Sequence, residues 1–228
     1  MVGPIDEGAL EAPETPGLDD AEVAALAEGS CVVREGALGP VLASMVLASL
    51  QRLDGAGGLR PAGVGLQGRK DPSLRSDRTT WLEHAGPDPA MVALWCWFDS
   101  LRLRITEATW VSLRRFSVQL AHFPGQGTRY VRHIDALPGD PNRLFTAIVY
   151  LNPAWEPGHG GMLRTWPPAG PMDLAPTWDR LLLFRSDCLP HEVLPTFAPR
   201  WAAAAWMRGT EALPLLPDPE AVLKVLIP

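Results

Sequence analysis

Apolar positions in the first half of the chain recur with the period of an α-helix. The clearest run starts at Pro40 and stops at Gly55, and its apolar face is formed by Val41, Leu42, Met45, Val46, Leu50 and Leu53. A shorter helix is predicted over residues 21–28, because two aspartates that can act as N-caps stand before it. A third helix is predicted to begin at Pro89, which suits the first helical position, and to end near Leu103.

The pattern changes after Trp110 to short apolar runs of β type. They are separated by clusters of Gly, Pro, Asn and Asp, and they cover residues 116–123, 129–135, 144–151, 161–166, 180–184, 192–194 and 201–207. Helices followed by about seven or eight short strands are typical of an α+β fold. The number and spacing of the strands predict a double-stranded β-helix, or jelly roll, supported by the N-terminal helices.

We expect this organisation to form one domain, because the chain has no internal repeat and no linker long enough to require a second. Residues 1–17 are acidic and lack any period, which predicts a flexible leader. The domain then covers 18–228, with helical support over 18–110, the jelly-roll core over about 111–210 and a C-terminal extension over 211–228.

Composition excludes several classes of function. Hydrophobic residues make up 46% and charged residues 20%, which favours a packed globular fold. The net charge of −6 is unlike the basic surface by which proteins bind nucleic acid. No apolar run approaches the roughly 20 residues of a transmembrane helix, and the acidic N-terminus is unlike a signal peptide. Three widely spaced cysteines without a CxxC motif indicate a reducing compartment. We therefore expect a cytoplasmic protein that binds neither nucleic acid nor membrane, with its oligomeric state left open.

The segment YVRHID carries the candidate chemistry. His133 and Asp135 are two residues apart on a predicted strand, so their side chains should point to the same face. Together with a second imidazole they would form the 2-His-1-carboxylate triad of non-haem Fe(II) oxygenases, which leaves three metal positions open for a chelating co-substrate and dioxygen. The best third ligand is His191, where a later strand of a jelly roll would return. The remaining histidines are expected to be solvated or bonded locally: His84, His122 and His159.

Arg200 follows His191 by nine residues and can enter the same barrel mouth if the intervening FAPR segment is a turn. A buried guanidinium binds a carboxylate through two parallel hydrogen bonds, and the 5-carboxylate of 2-oxoglutarate would be such a partner. Tyr150 could add a hydroxyl donor to that carboxylate. By strand alternation Ala202 and Ala204 share the face of Arg200, and their small side chains leave room for a ligand.

These motifs resemble the catalytic domain of the prolyl 4-hydroxylases that modify hypoxia-inducible factor, and of their bacterial relatives. The matching sequence motifs between residues 116 and 207 are FPGQGTRYVRHID, IVYLNPAW, GGMLRTWP, DRLLLFRSD, PHEVLP and RWAAAAW. A weaker match, SDRTTWLE at 76–83, corresponds to a segment near the mobile finger loop of that family. Three positions depart from the family pattern, with Phe123 in place of a frequent tyrosine, Ala204 in place of a common threonine and Arg129 in place of a usual glycine.

The resemblance implies iron ligation by His133, Asp135 and His191. It also implies that Arg200 and Tyr150 bind the 5-carboxylate of 2-oxoglutarate, with Arg200 completing the catalytic set. The implied reaction hydroxylates a prolyl residue of a protein or peptide and releases succinate and CO2. Its implied cofactors are Fe(II), 2-oxoglutarate as co-substrate, and O2, with ascorbate as an accessory.

The polar stretch over residues 65–81 predicts how a substrate is held. It has few apolar residues, so we expect it to remain mobile until it closes over a bound polypeptide. The residues predicted to contact that substrate are Arg75, Asp77, Arg78 and Arg132. Two alternatives stay open at this point: a tailoring enzyme with the same chemistry acting on a small molecule, and a cupin-like metal-binding module without turnover.

Overall fold

The computed structural model describes residues 12–65, 68–84, 86–136 and 142–210. Of the predicted leader only residues 12–17 are described, and the predicted extension over 211–228 lies outside the described residues. Three α-helices are present in the described ranges: α1 Asp20–Ala27, α2 Gly39–Gly55 and α3 Pro89–Thr109, together with a short 3-10 helix at Pro157–His159. None of these three has the length and apolarity that crossing a membrane requires.

The helices begin where the sequence predicts, and α3 ends later. The side chain of Asp19 accepts a hydrogen bond from the backbone N–H of Glu22, whose own carboxylate accepts one from the N–H of Asp19, so a capping box starts α1. The predicted end of α3 near Leu103 is wrong by six residues, because the buried Ile105 continues its apolar face. The helix stops where Trp110 adopts the left-handed region, with φ of 59°.

Strands form two sheets, and all neighbouring strands within them are antiparallel. The described strands are β1 Cys31–Glu35, β2 Arg60–Pro61, β3 Arg78–Trp81, β4 Leu113–Phe123, β5 Thr128–His133, β6 Arg143–Tyr150, β7 Leu163–Thr165, β8 Met172–Leu174, β9 Arg180–Arg185, β10 His191–Thr196 and β11 Arg200–Gly209. The larger sheet has the order β1, β9, β6, β11, β4, β3, β2, and the smaller has β5, β10, β7, β8. Two antiparallel sheets facing each other, with helices in support, confirm the predicted α+β jelly roll.

Each of the seven predicted β runs contains a strand, whereas β1, β2, β3 and β8 were not predicted as strands. The missing strands are short and lie at or near sheet edges, where little apolar alternation is needed. For β1 the partner is β9, far along the chain, so its pairing is a long-range contact that local periodicity does not reveal.

Alternation along the central strands separates two apolar layers. On β6, Ala147 and Val149 join the core formed with α2 and α3, while Ile148 and Tyr150 belong to the apolar cluster between the sheets. The helices therefore cover one face of the larger sheet, and its other face is left to line a cavity against the smaller sheet. This arrangement makes every second residue of the central strands available to a site.

Candidate active site

A cavity of about 600 Å³ lies between the two sheets. Its floor and one wall come from alternate residues of three central strands. These residues are Gln119, Ala121 and Phe123 of β4, Thr146 and Ile148 of β6, and Arg200, Ala202, Ala204 and Trp206 of β11. The prediction that the two alanines share the face of Arg200 is confirmed.

Strand pairing brings the predicted metal ligands together in this cavity. His133 ends β5, His191 begins β10, and the two residues are partners in the ladder, with ring centroids 4.3 Å apart. Asp135 Oδ1 lies 3.7 Å from His133 Nε2, and Asp135 Oδ2 lies 3.7 Å from His191 Nε2. One candidate ligand atom from each of the three side chains lies within 4.8 Å of the other two. Two imidazoles and a carboxylate that converge in this way are the donor set of a facial triad.

Backbone carbonyls orient both imidazoles. The Nδ1 atom of His133 lies 2.8 Å from the carbonyl oxygen of Val131, and the Nδ1 atom of His191 lies 3.0 Å from that of Leu189. A carbonyl only accepts, so each Nδ1 carries the proton and donates it. Each Nε2 then keeps its lone pair and points into the shared space, as metal ligation requires.

The prediction that Asp135 shares a strand with His133 is wrong, because β5 ends at His133 and Asp135 lies in the bend that follows. A hydrogen bond of 2.9 Å from the N–H of Ala136 to the carbonyl of Ser186 holds this bend. The hydroxyl of Thr146 donates to Asp135 Oδ2 at 2.8 Å. The carboxylate is thus turned toward the two histidines by a bend and by a threonine that the sequence reasoning had not identified.

The charges of the triad suit a divalent cation. Burial and, to a smaller extent, the nearby His191 lower the pKa of His133 to about 3, against the opposing effect of Asp135. Burial alone would raise the pKa of Asp135, but His191, His133 and the hydrogen bond from Thr146 bring it below its usual value. At neutral pH the site therefore contains a carboxylate beside a neutral imidazole of His133, so the donor set fits Fe(II).

Arg200 is 4% exposed and lies on the floor of the same cavity. Its Nε donates to the carbonyl of Gly161 at 2.8 Å, and its guanidinium carbon lies 4.9 Å from the ring centre of Tyr150 and 5.0 Å from that of Phe123. Burial raises the pKa of Tyr150 to about 12, and the buried Tyr150 hydroxyl has no hydrogen-bond partner among the described residues. No described carboxylate forms an ion pair with Arg200. A buried cation beside an unpartnered hydroxyl fits a carboxylate ligand.

Two of the predicted substrate-binding residues lie in the cavity wall, where they bind each other. The guanidinium of Arg75 donates to both carboxylate oxygens of Asp77, at 2.7 and 2.9 Å. The exposed fractions of the two side chains are 12% and 0%. The expectation that the charges of this segment cannot be buried is therefore wrong for these two residues, because each neutralises the other.

The structure does not bring the other two predicted substrate-binding residues to the cavity lining. Arg78 forms an ion pair with Asp54 of α2, at 2.5 Å. Arg132 follows the alternation of β5 to the side away from His133, where its guanidinium stacks at 3.7 Å over the ring of Trp166. Their chain neighbours Asp77 and His133 do line the cavity.

The three other histidines are also absent from the cavity lining. His159 pairs with the nearby Glu156, as predicted, and His84 packs edge-on against Trp95. The prediction is wrong for His122, which stacks on Trp201 and bonds to Asp54, both distant in the chain. His122 is buried, because the indole covers its ring.

Sequence reasoning missed Thr146, Gln119 and Tyr130, which are all part of the cavity wall. Thr146 and Gln119 could have been predicted from strand alternation. Every second residue from Tyr150 along β6 leads to Thr146, and every second residue from Phe123 along β4 leads to Gln119. Tyr130 had no such signal. Its ring stacks on His133 with centroids 3.7 Å apart, a contact made across an irregular stretch of β5.

We expect Thr146→Val to weaken metal binding by about 10-fold, because the isosteric valine cannot hold the Asp135 carboxylate in place. Anaerobic titration with Fe(II), followed by protein fluorescence, measures the dissociation constant. Thr106→Val is the matched control, since the Thr106 hydroxyl is buried in α3 without a hydrogen-bond partner among the described residues. Equal Fe(II) affinity in the two variants would show that the threonine does not orient the carboxylate.

Fold and site together define an Fe(II)- and 2-oxoglutarate-dependent oxygenase, and comparison with known proteins agrees. The family model of the 2OG-Fe(II) oxygenase superfamily matches residues 118–208. Prolyl hydroxylase EGLN3 of Homo sapiens is 36% identical over 186 residues, which cover 76% of this chain and 76% of the relative. The chain belongs to the 2OG-Fe(II) oxygenase superfamily and is a dioxygenase of the prolyl hydroxylase type, with Fe(II) and 2-oxoglutarate as its cofactor and co-substrate.

Solved structures show the same relationship. A prolyl hydroxylase from Trichoplax adhaerens, in complex with a hypoxia inducible factor oxygen degradation domain peptide fragment, is 28% identical with a TM-score of 0.77, covering 82% of this chain and 87% of that chain. A prolyl-4-hydroxylase from Pseudomonas putida is 31% identical with a TM-score of 0.75, covering 84% and 98%. Because the chain belongs to a family of oxygenases, the alternative of a metal-binding module without turnover is disfavoured.

Proposed function

We propose that this dioxygenase hydroxylates a prolyl residue of a protein or peptide while 2-oxoglutarate is converted to succinate and CO2. Iron would be held by His133, Asp135 and His191, and the 5-carboxylate of 2-oxoglutarate by Arg200 and Tyr150. The observation that carries the proposal is the presence in one cavity of a facial triad and a buried arginine. When bound, the iron supplies the oxidising chemistry, in which one oxygen atom of O2 enters a prolyl C–H bond and the other enters succinate.

The residues of the chain act by binding and orientation. Arg200 gives the co-substrate a fixed anchor at the buried end, so its keto acid can turn toward the triad. Small side chains at Ala202 and Ala204 leave the space between anchor and triad open. Apolar side chains at Ile148, Leu163 and Val193 line the cavity and limit the water near the reacting atoms.

A polypeptide substrate is supported by the rim of the cavity. Trp81 is 54% exposed on β3, lines the cavity and packs on Trp206 with ring centroids 5.6 Å apart. Grooves lined by aromatic side chains are a common way of binding extended proline-containing segments. One of the similar solved structures, that from Trichoplax adhaerens, contains a peptide, which also favours this class over the small-molecule alternative.

Trp81→Ala tests the substrate class. We expect the KM for a proline-containing peptide to rise by about 30-fold, because a tryptophan that anchors an interface contributes about 2 kcal/mol. The measurement follows hydroxyproline by mass spectrometry and succinate by coupled assay in the same reactions. Trp110→Ala is the matched control, since Trp110 is 93% exposed at the end of α3 and outside the cavity. If no proline-containing peptide is hydroxylated while a small molecule is, the proposed substrate class is wrong.

Several further expectations belong to the same proposal and stay predictions. They are the cytoplasmic location, the accessory use of ascorbate, and the lack of nucleic-acid and membrane partners. The division into a leader over 1–17 and a single dioxygenase domain over 18–228 is likewise proposed. The expected flexibility of the leader is wrong for its described end, because the carbonyls of Thr15, Pro16 and Gly17 accept hydrogen bonds from Arg104 and Arg34.

A further inference from the structure

Gln119 is a buried amide in the cavity wall that the metal and co-substrate sites do not use. It is 7% exposed, and β4 places it in register between Trp81 of β3 on one side and Ala204 of β11 on the other. It therefore lies between the rim and the floor of the cavity that it lines.

The orientation of this amide is fixed by chemistry. Arg75 Nη2 lies 2.8 Å from the Gln119 side chain, and a guanidinium only donates, so the oxygen Oε1 must face Arg75. Arg75 is itself held by its two hydrogen bonds to Asp77. This is the one hydrogen bond that the Gln119 side chain makes to the described residues. The amide nitrogen Nε2 is consequently left as a donor without a partner in the described part of the wall.

This donor is not fully enclosed by the protein and is accessible from the cavity, so a ligand of the cavity can supply its acceptor. The cavity-facing neighbours of Gln119 along β4 and across on β11 are Ala121 and Ala204, whose side chains cannot accept a hydrogen bond. Two ligands contain acceptor oxygens: 2-oxoglutarate and the substrate.

Distance favours the substrate. Arg200 pairs with Phe123 in the β4–β11 ladder, four residues along β4 from Gln119, which corresponds to about 13 Å at the usual rise per residue. In the proposed function the co-substrate is anchored at Arg200 and turns its other end toward the triad, so neither of its ends is free to extend along β4 to Gln119. The register partner of Gln119 is instead the rim residue Trp81.

A segment around a target proline suits such a donor. Proline has no N–H, so the backbone near it offers carbonyl acceptors and lacks a donor. We propose that Gln119 is a specificity-determining residue, whose Nε2 donates a hydrogen bond to a backbone carbonyl of the polypeptide beside the target proline. This inference rests on the proposed function.

The test uses two variants that separate donation from anchoring of Arg75. Gln119→Glu keeps an acceptor for Arg75 and loses the donor, whereas Gln119→Met loses both. The probe is a fluorescein-labelled peptide that the wild-type protein hydroxylates, taken from an array of capped proline-containing peptides. Its Kd is measured anaerobically by fluorescence anisotropy with the full chain, Fe(II) and 2-oxoglutarate. We expect both variants to raise this Kd by about 5- to 10-fold, the effect of losing one hydrogen bond.

The outcomes distinguish the inference from the proposed function. If only Gln119→Met weakens peptide binding, the glutamine serves to anchor Arg75 and the inference is wrong. If the variants raise the KM for 2-oxoglutarate and leave the peptide Kd unchanged, the acceptor is the co-substrate, which also overturns the inference. A wild-type protein that consumes 2-oxoglutarate but hydroxylates no peptide of the array overturns the proposed function, and the inference with it. Thermal melting of each variant, with the surface substitution Gln51→Met as control, shows that the fold is retained.

Discussion

His191→Ala is expected to abolish both succinate formation and prolyl hydroxylation. The substitution removes one of the three proposed iron ligands and leaves two, from which a divalent ion dissociates readily at micromolar metal. The same loss is expected for His133→Ala and Asp135→Ala, because the three ligand atoms converge on a single position. The fold should survive, since these side chains line a cavity and are not part of the apolar layer beneath the helices.

Succinate formation at saturating 2-oxoglutarate and Fe(II) binding by anaerobic titration are the two measurements, with circular dichroism as the check of folding. His159→Ala is the matched control, because His159 lies outside the cavity lining and pairs with Glu156 on the surface. Near-normal turnover in any one of the three variants would remove that residue from the ligand set.

Arg200→Lys is expected to raise the KM for 2-oxoglutarate by roughly 10- to 150-fold. Lysine retains the charge but loses the two parallel donors of the guanidinium, and a charge-assisted hydrogen bond contributes on the order of 1.5–3 kcal/mol. It also loses the Nε donor that holds the side chain against the carbonyl of Gly161. Tyr150→Phe should cost less, about 0.5–1.5 kcal/mol, because it removes a single neutral donor.

Initial rates of succinate formation against 2-oxoglutarate concentration give these constants, and the weak visible absorbance of an anaerobic complex with Fe(II) reports binding without turnover. Arg164→Lys is the matched control, since Arg164 forms an exposed pair with Asp173 on the smaller sheet. Equal and negligible effects of the Arg200 and Tyr150 substitutions would place the carboxylate elsewhere.

The ion pair between Arg75 and Asp77 limits which substitutions can test the polar segment over residues 65–81. Shortening 69–76 would delete Arg75 and leave Asp77 as a buried carboxylate without its cation, a cost of several kcal/mol unrelated to substrate. Point substitutions at the cavity wall, such as Trp81→Ala and the two at Gln119, leave that ion pair in place.

Local patterns were sufficient for the fold class and for much of the site. Helical and strand periods identified three helices and seven strands, because burying one side of an element imposes its period on the sequence. Alternation placed Ala202 and Ala204 on the face of Arg200, and the spacing of His133, Asp135 and His191 predicted the triad. The periods and the alternation depend on residues that are close in the chain. The triad was predicted because its residue types form a known ligand motif even though His191 is distant in the sequence.

Tertiary structure decided the rest, since those features depend on contacts between distant segments. The bend after β5 aims Asp135, and Thr146 reaches it from another strand. The pairing of β3 with β4 brings Arg75 beside Gln119, so part of a segment predicted to remain mobile belongs to a buried wall. No local period encodes which strand lies next to which, because a strand specifies which of its faces is buried and leaves its neighbour unspecified.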